Sequence, residues 1–192
     1  MKFTQIPTDT FKQLQLNAGI IVDSFSPTDG TFENIIFATS GGCTFTADAE
    51  FTDFGDDIDN CPENTKELKR IDNYKTSLSG TAITVNETSA TRLIGAADAA
   101  SGKVTPRADL KDDDFKDLWW VGDYSDQNGK KNGGFIAVHI LNALSTGGFK
   151  IKSDNKKKGN YSFEFTGHYS VKEPDKIPFE LYIKEGTVEA EG

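Results

Sequence analysis

The sequence holds few side chains that could carry chemistry. Its two histidines, His139 and His168, both fall inside strand-like runs. His168 alternates onto the polar face of its run and reads as a solvated ring. His139 reads as a core or interface residue with one hydrogen bond, and no nucleophile is placed beside either. Cys43 follows Gly41 and Gly42, which would expose a thiol, yet no base accompanies it. Cys43 and Cys61 match neither zinc nor redox spacing; a disulfide is permitted but not demanded, and reduced, half-buried thiols are expected. The glycine-rich pieces Ser40–Cys43, Gly129–Gly134 and Thr146–Phe149 lack the spacing and following helix of a phosphate cradle and read as turns between strands. The acidic runs Asp53–Asn60 and Asp123–Gly129 do not keep the alternating register of a calcium loop and read as solvated loops. Trp119 and Trp120, near Tyr124, suggest a sugar-stacking platform, but neighbours in a strand face opposite ways. One tryptophan is therefore expected in the core and one at an interface. The expectation is a protein that is not an enzyme and uses no cofactor or metal.

The elements that would position these residues are mostly strands. Tyr161 to Val171 alternates apolar and polar residues without a break. Phe179, Leu181 and Ile183 alternate in the same way after Pro174 and Pro178, giving a last strand with those three facing inward. Phe135 to Leu141 is rich in β-branched residues and reads as a strand covered on both faces. Phe149 to Lys152, a turn over 153–160 and the strand that follows read as a hairpin. Earlier strands are expected over 14–22, 32–39, 43–54 and 68–85, and a helical turn from Asp112 leads toward Trp119. One helix, about residues 88–100, follows from the apolar spacing of Ala90, Leu93, Ile94 and Ala97, with Asn86 or Thr88 as cap and Gly102 beyond its end. Neither a repeat nor a linker divides the chain. The fold expected is a mainly β sandwich or barrel of about eight to ten strands with one flanking helix, in a single domain over 1–192.

Charge is unevenly distributed. The chain of 192 residues has a formal net charge of −9, which argues against a basic grip on nucleic acid. Between Ala47 and Glu63 there are seven acids and no Lys or Arg, whereas Lys150 to Asn160 holds five lysines against Asp154 alone. These segments read as solvated loop tips, or as complementary contact surfaces on copies of one protein. No stretch approaches the roughly 20 apolar residues of a membrane span, and the start of the chain lacks a signal-like apolar run. A soluble protein without membrane contact is expected, used in the cytoplasm or released by lysis.

Several of these pieces, in order, resemble a known family. They are Gly41 to Phe45, Glu50 to Leu68 with its core Asp53-Phe-Gly-Asp-Asp-Ile-Asp-Asn-Cys-Pro, Ser79 to Ala82, Leu93 to Asp98, Tyr161 to Ser170, and Pro178 to Tyr182. Together they resemble the tail-tube (major tail) proteins of long-tailed bacteriophages, particularly those in prophages of Gram-positive bacteria, over most of residues 10 to 185. The resemblance implies a sandwich with an outer helix, six copies per ring, and rings stacked into a hollow tube that conducts the genome. It also implies inner sheets that join across subunits into one barrel, short terminal arms, and a long loop, here about 54–66, that reaches the neighbouring ring. Implied partners are the protein itself, tape-measure and tail terminator or baseplate proteins, and DNA as a non-specific passenger. The implied location is the virion tail, with assembly in the host cytoplasm. No catalytic residue carries over.

Taking charge and resemblance together, the expected contact between rings joins Asp53, Asp56, Asp57, Asp59 and Glu63 on one copy to Lys156, Lys157 and Lys158 on another. The alternative is a β-sandwich binding module for a carbohydrate or surface receptor.

Overall fold

The computed structural model describes residues 3, 5–7, 10–124 and 133–186. Among them the chain forms eleven strands and one α-helix, so the mainly β reading stands, with one strand more than expected. The strands are β1 (Gln15–Ser26), β2 (Thr31–Phe37), β3 (Thr39–Asp53), β4 (Lys69–Ala82), β5 (Ala97–Ala100), β6 (Lys103–Pro106), β7 (Lys116–Tyr124), β8 (Gly134–Ser145), β9 (Lys150–Lys152), β10 (Asn160–Thr166) and β11 (Phe179–Lys184); the helix is α1 (Glu87–Ile94).

Nine strands pair antiparallel in one ladder folded over on itself, while β5 and β6 form a separate hairpin. The first sheet runs β2-β1-β7-β8-β11, and the second runs β8-β10-β4-β3 with β9 added to β10. Strand β8 belongs to both: Phe135 to Ile140 pairs with β11, and Leu144 and Ser145 pair with β10. Its apolar run is covered on both faces, as its β-branched composition predicts. Val138 and Ile140 enter the main core with Ile21, Leu118, Leu78, Phe163 and Phe165, while Ala137 joins Val22, Phe25 and Trp119 in a second cluster. Each large side chain so buried contributes about 1.5–3 kcal/mol before entropy is counted.

The helix is shorter than its spacing suggests. Asn86 caps it, its side chain accepting from the Ser89 N–H at 2.8 Å while the Asn86 N–H donates to Ser89 Oγ at 2.9 Å. Gly95, at φ +90°, ends it seven residues before Gly102. Ala97, counted in the helical stripe, is instead buried at the start of β5. The helix contributes Leu93, fully buried in the main core, and the Leu93 carbonyl accepts from Ser145 Oγ at 2.7 Å.

Three other expectations are corrected. The run Tyr161 to Val171 alternates inside and outside only as far as Gly167, where an added Cβ would lie 2.6 Å from Thr76 Oγ1. The chain then leaves the sheet, so Val171 is exposed and His168 is no strand residue; its ring is half-buried, Nδ1 3.1 Å from the Asn142 carbonyl oxygen and the ring edge-on to Phe115. On β11, Phe179 does face inward and packs on Phe45 and Tyr74, but Leu181 and Ile183 are half-exposed and Tyr182 packs against Trp119. Finally, Ser40 to Cys43 makes an irregularity inside β3, not a turn between strands: Gly41 and Gly42 have φ near +80°, and the pairing register shifts between Thr39 and Cys43. Most of Gly129–Gly134 and Asp123–Gly129 lies outside the described residues.

Truncating Leu93 to Ala should lower unfolding free energy by about 2–5 kcal/mol, and Asn86 to Ala by about 1 kcal/mol. Urea midpoints at constant slope measure both; equal effects would mean that Leu93 does not anchor α1 in the core.

Candidate assembly surfaces

Strands β3 and β4 pair from Thr39–Ala82 at one end to Asp53–Lys69 at the other, forming an arm whose tip is the acidic segment. The tip is a chain of turns. Asp53 Oδ1 accepts from the Gly55 N–H at 2.9 Å, Ile58 N–H donates to the Gly55 carbonyl at 3.1 Å, and Cys61 N–H donates to that of Ile58 at 3.0 Å. Asn60 and Asn64 take left-handed φ near +60°, and Thr65 Oγ1 donates to the Pro62 carbonyl at 2.6 Å. Asp56, Asp57, Asp59 and Glu63 are exposed. Closing the hairpin brings cations to the tip that the acid-only stretch conceals: Lys66, Lys69 and Arg70 stand against Asp53, Asp56, Asp57, Asp59, Glu63 and Glu67. The tip thus keeps an acidic surplus of three charges, smaller than the sequence segment implies.

The lysines form the other tip. Strand β9 pairs with the start of β10, Ile151 opposite Tyr161, and the intervening turn carries Lys156, Lys157 and Lys158. Asp154 in the same turn is 4.0 Å from both Lys152 and Lys157, a distance at which exposed pairs contribute little.

The acidic and basic tips are at opposite ends of the second sheet. Strand β10 pairs with β4 with Tyr161 opposite Ala82 and Thr166 opposite Ser77, so the lysine turn projects past Ala82 and the acidic arm past Lys69. The 14 residues of β4 separate the two by roughly 45 Å at ~3.3 Å per residue. The expected contact residues therefore do not meet within one copy; the tips point away from each other.

Among the described residues the first sheet has two open margins, β2 and β11. Phe32 and Ile35 on β2, like Leu181 and Ile183 on β11, are about half-exposed. The charge pattern did not signal these residues; edge position combined with apolar type would have. Side chains fasten the β11 margin. His139 Nε2 lies 3.0 Å from Asp117 Oδ2 on β7, and Nδ1 lies 3.3 Å from Glu180 Oε2 on β11, so one imidazole bridges three strands. Trp119 stacks on it at 3.9 Å, and Tyr182 Oη donates to Glu180 Oε2 at 2.6 Å. The expectation of one hydrogen bond at His139 is corrected to two carboxylate partners.

The other chemical candidates are absorbed by the fold. Trp119 is buried, and Trp120 packs against the main core while its indole N–H donates to the Ala18 carbonyl at 3.0 Å. Both tryptophans are thus fold residues, and neither is free for a platform. Cys43 and Cys61 are free thiols, one on β3 and one in the arm tip; burial pushes the Cys43 thiol above its ordinary value.

No family model matches this sequence, and no curated protein matches it. Among solved structures the chain is similar to one from the tail of an empty gene transfer agent particle refined with helical C6 symmetry, at 10% identity and TM-score 0.43, over 87% of this chain and 96% of that one. It is similar also to a chain of the virion of a native gene transfer agent particle, at 10% identity and TM-score 0.42, over 87% of this chain and 95% of that one.

The bridge through His139 makes the fold acid-sensitive. Its hydrogen bond to Asp117 leads in holding that carboxyl below the usual range; for Glu180 the hydrogen bond from Tyr182 leads and His139 adds to it. Both acids are lowered in the folded state, so their stabilisation is present above the unfolded values of about 3.9 and 4.3 and is lost as pH falls through the folded ones. The Asp117→Asn, Glu180→Gln double variant should lose less urea resistance than wild type between about pH 5.5 and pH 3. Parallel losses would show that the bridge does not contribute.

Proposed function

We propose that this chain is a structural subunit of a phage-type tail tube: copies join side by side into six-membered rings, and rings stack head to tail around a lumen that conducts DNA. The observation carrying this reading is the placement of an acidic and a basic tip at opposite ends of one sheet. Two unlike surfaces on opposite ends make a heterologous contact that repeats without closing, the requirement for a filament. The ordered resemblance of residues 10 to 185 to tail-tube proteins supports the same reading.

Within a ring, the open margins β2 and β11 supply the lateral contact. Left unpaired, such edges are an aggregation liability; paired with a neighbour they disappear, and their half-exposed apolar residues are covered. Between rings, Asp53, Asp56, Asp57, Asp59 and Glu63 meet Lys156, Lys157 and Lys158 of the next copy. The net charge of −9 suits a conduit, because basic residues along a lumen would hold phosphates through counterion release. DNA is then a passenger. Tape-measure and terminator or baseplate proteins are the partners at the tube's ends, the subunit acts in the virion tail after assembly in the host cytoplasm, and it performs no catalysis.

Negative-stain microscopy of purified protein, alone and after concentration, should show rings or striated tubes. Reversing Lys156, Lys157 and Lys158 to Glu should slow assembly roughly tenfold at low salt, and reversing Asp56, Asp57 and Asp59 to Lys in the same chain should restore part of the rate. Monodisperse single copies under all conditions would instead favour a β-sandwich binding module.

A further inference from the structure

The charged tips each carry an apolar centre. On the arm, Phe51 and Ile71 form a cross-strand pair, 54% and 52% exposed, with Lys69 Nζ 5.3 Å from the Phe51 ring centroid; Phe54 and Ile58 are also half-exposed at the same tip. At the basic end, Ile151 is 60% and Phe149 41% exposed; Ile151 pairs with Tyr161, and the Phe149 ring packs on Tyr161 at 5.9 Å. The strand residues of both sets, Phe51 with Ile71 and Ile151 with Tyr161, continue the core-facing side of the second sheet. Tyr161 lies next to Phe163 and packs against the main core, and Phe45, on the same side of β3 as Phe51 by alternation, does so at the arm's base. The apolar stripe therefore overruns the core at both ends, ringed by acids at one and lysines at the other.

Resting on the tube reading for the stacking of copies, we infer that the arm's Phe51, Phe54, Ile58 and Ile71 seat against Phe149 and Ile151 of the next copy, and that these apolar contacts, not the ion pairs, hold the stack. The occupant is a second copy because the two surfaces match in three respects: each is an apolar centre, their charged rims are opposite in sign, and they lie at opposite ends of the same sheet. A more exposed apolar residue beside a lysine fits less well. Val171, 97% exposed beside Lys172, follows β10 at the arm's own end of the sheet, so axial stacking does not bring it to the next copy's arm. Exposed ion pairs contribute little, and less in salt, whereas burying an aromatic or branched side chain contributes several times more. The rims then set encounter rate and register, and the apolar centres set the lifetime of the contact.

The test uses two variants of the full chain, one with Phe51→Ser and Ile71→Ser (arm-blind), the other with Phe149→Ser and Ile151→Ser (hairpin-blind), with Val171→Ser as control. All sites are surface positions, and urea midpoints verify folding. Each double variant should raise the critical concentration for tubes at least roughly tenfold, in high salt as in low, while Val171→Ser leaves it unchanged. Mixed one to one, the arm-blind and hairpin-blind proteins retain one good surface each. Sedimentation velocity should then show a complex of twice the mass that either reaches alone. Tubes from either double variant at the wild-type concentration would overturn the inference and leave the tube reading intact. A mixed complex without rings or tubes from wild type would overturn the tube reading and uphold the pairing. A mixture that sediments as its separate components overturns the pairing whatever wild type does.

Discussion

The second sheet of this protein is longer than the layer that covers it, and most of what is distinctive in the molecule follows from that mismatch. Strands β3 and β4 run for 15 and 14 residues, but the main core closes around Leu78, Phe163 and Phe165, and the Phe179 ring on Phe45 and Tyr74 marks its edge toward the arm. Beyond it, apolar side chains continue past the covering layer and stay about half-exposed, with Lys69 Nζ over the Phe51 ring. In an isolated domain this would waste the hydrophobic effect; it is intelligible where another molecule completes the layer.

The remaining devices keep that overhanging sheet attached to a rigid body. Strand β8 serves both sheets, so the two cannot slide past one another without breaking its ladders. The helix plugs the core with Leu93 and is tied across the first sheet by Arg92, which pairs with Asp23 at 3.0 Å and donates to the Asp117 carbonyl at 3.2 Å. The same Asp117 takes His139 on its carboxylate, so helix, β1, β7, β8 and β11 meet in one polar network around a half-buried imidazole. Such a network holds the β11 margin to the rest of the first sheet.

Much of this was legible in the sequence where local pattern and tertiary environment agree. Alternation marked β10, β-branched content marked β8 as doubly covered, and charge segregation marked both tips. It failed where the answer depended on how far a neighbouring element extends. Leu181 and Ile183 alternate like core residues but are about half-exposed on β11, a strand at the margin of its sheet. Ala97 keeps the helical spacing, but Gly95 breaks the helix first. Lys69 and Arg70 lie outside the acidic stretch in sequence and opposite it in space, since a hairpin folds distant positions together. That the two tips face opposite ways depends on pairing register, which no single segment encodes.

The two ends of the second sheet carry unlike chemistry, the acidic arm tip beyond Lys69 and the lysine turn beyond Ala82. A stack of such subunits has no two-fold axis across it, so it is a vectorial polymer: one terminus always presents acids around aromatic rings, the other lysines around Ile151 and Phe149. Growth at the two termini then involves different encounter chemistry, and one capping protein cannot serve both. An inverted subunit would set like charges against like at its first contact. In such a stack, direction would be written into each monomer by the antiparallel register of three strands.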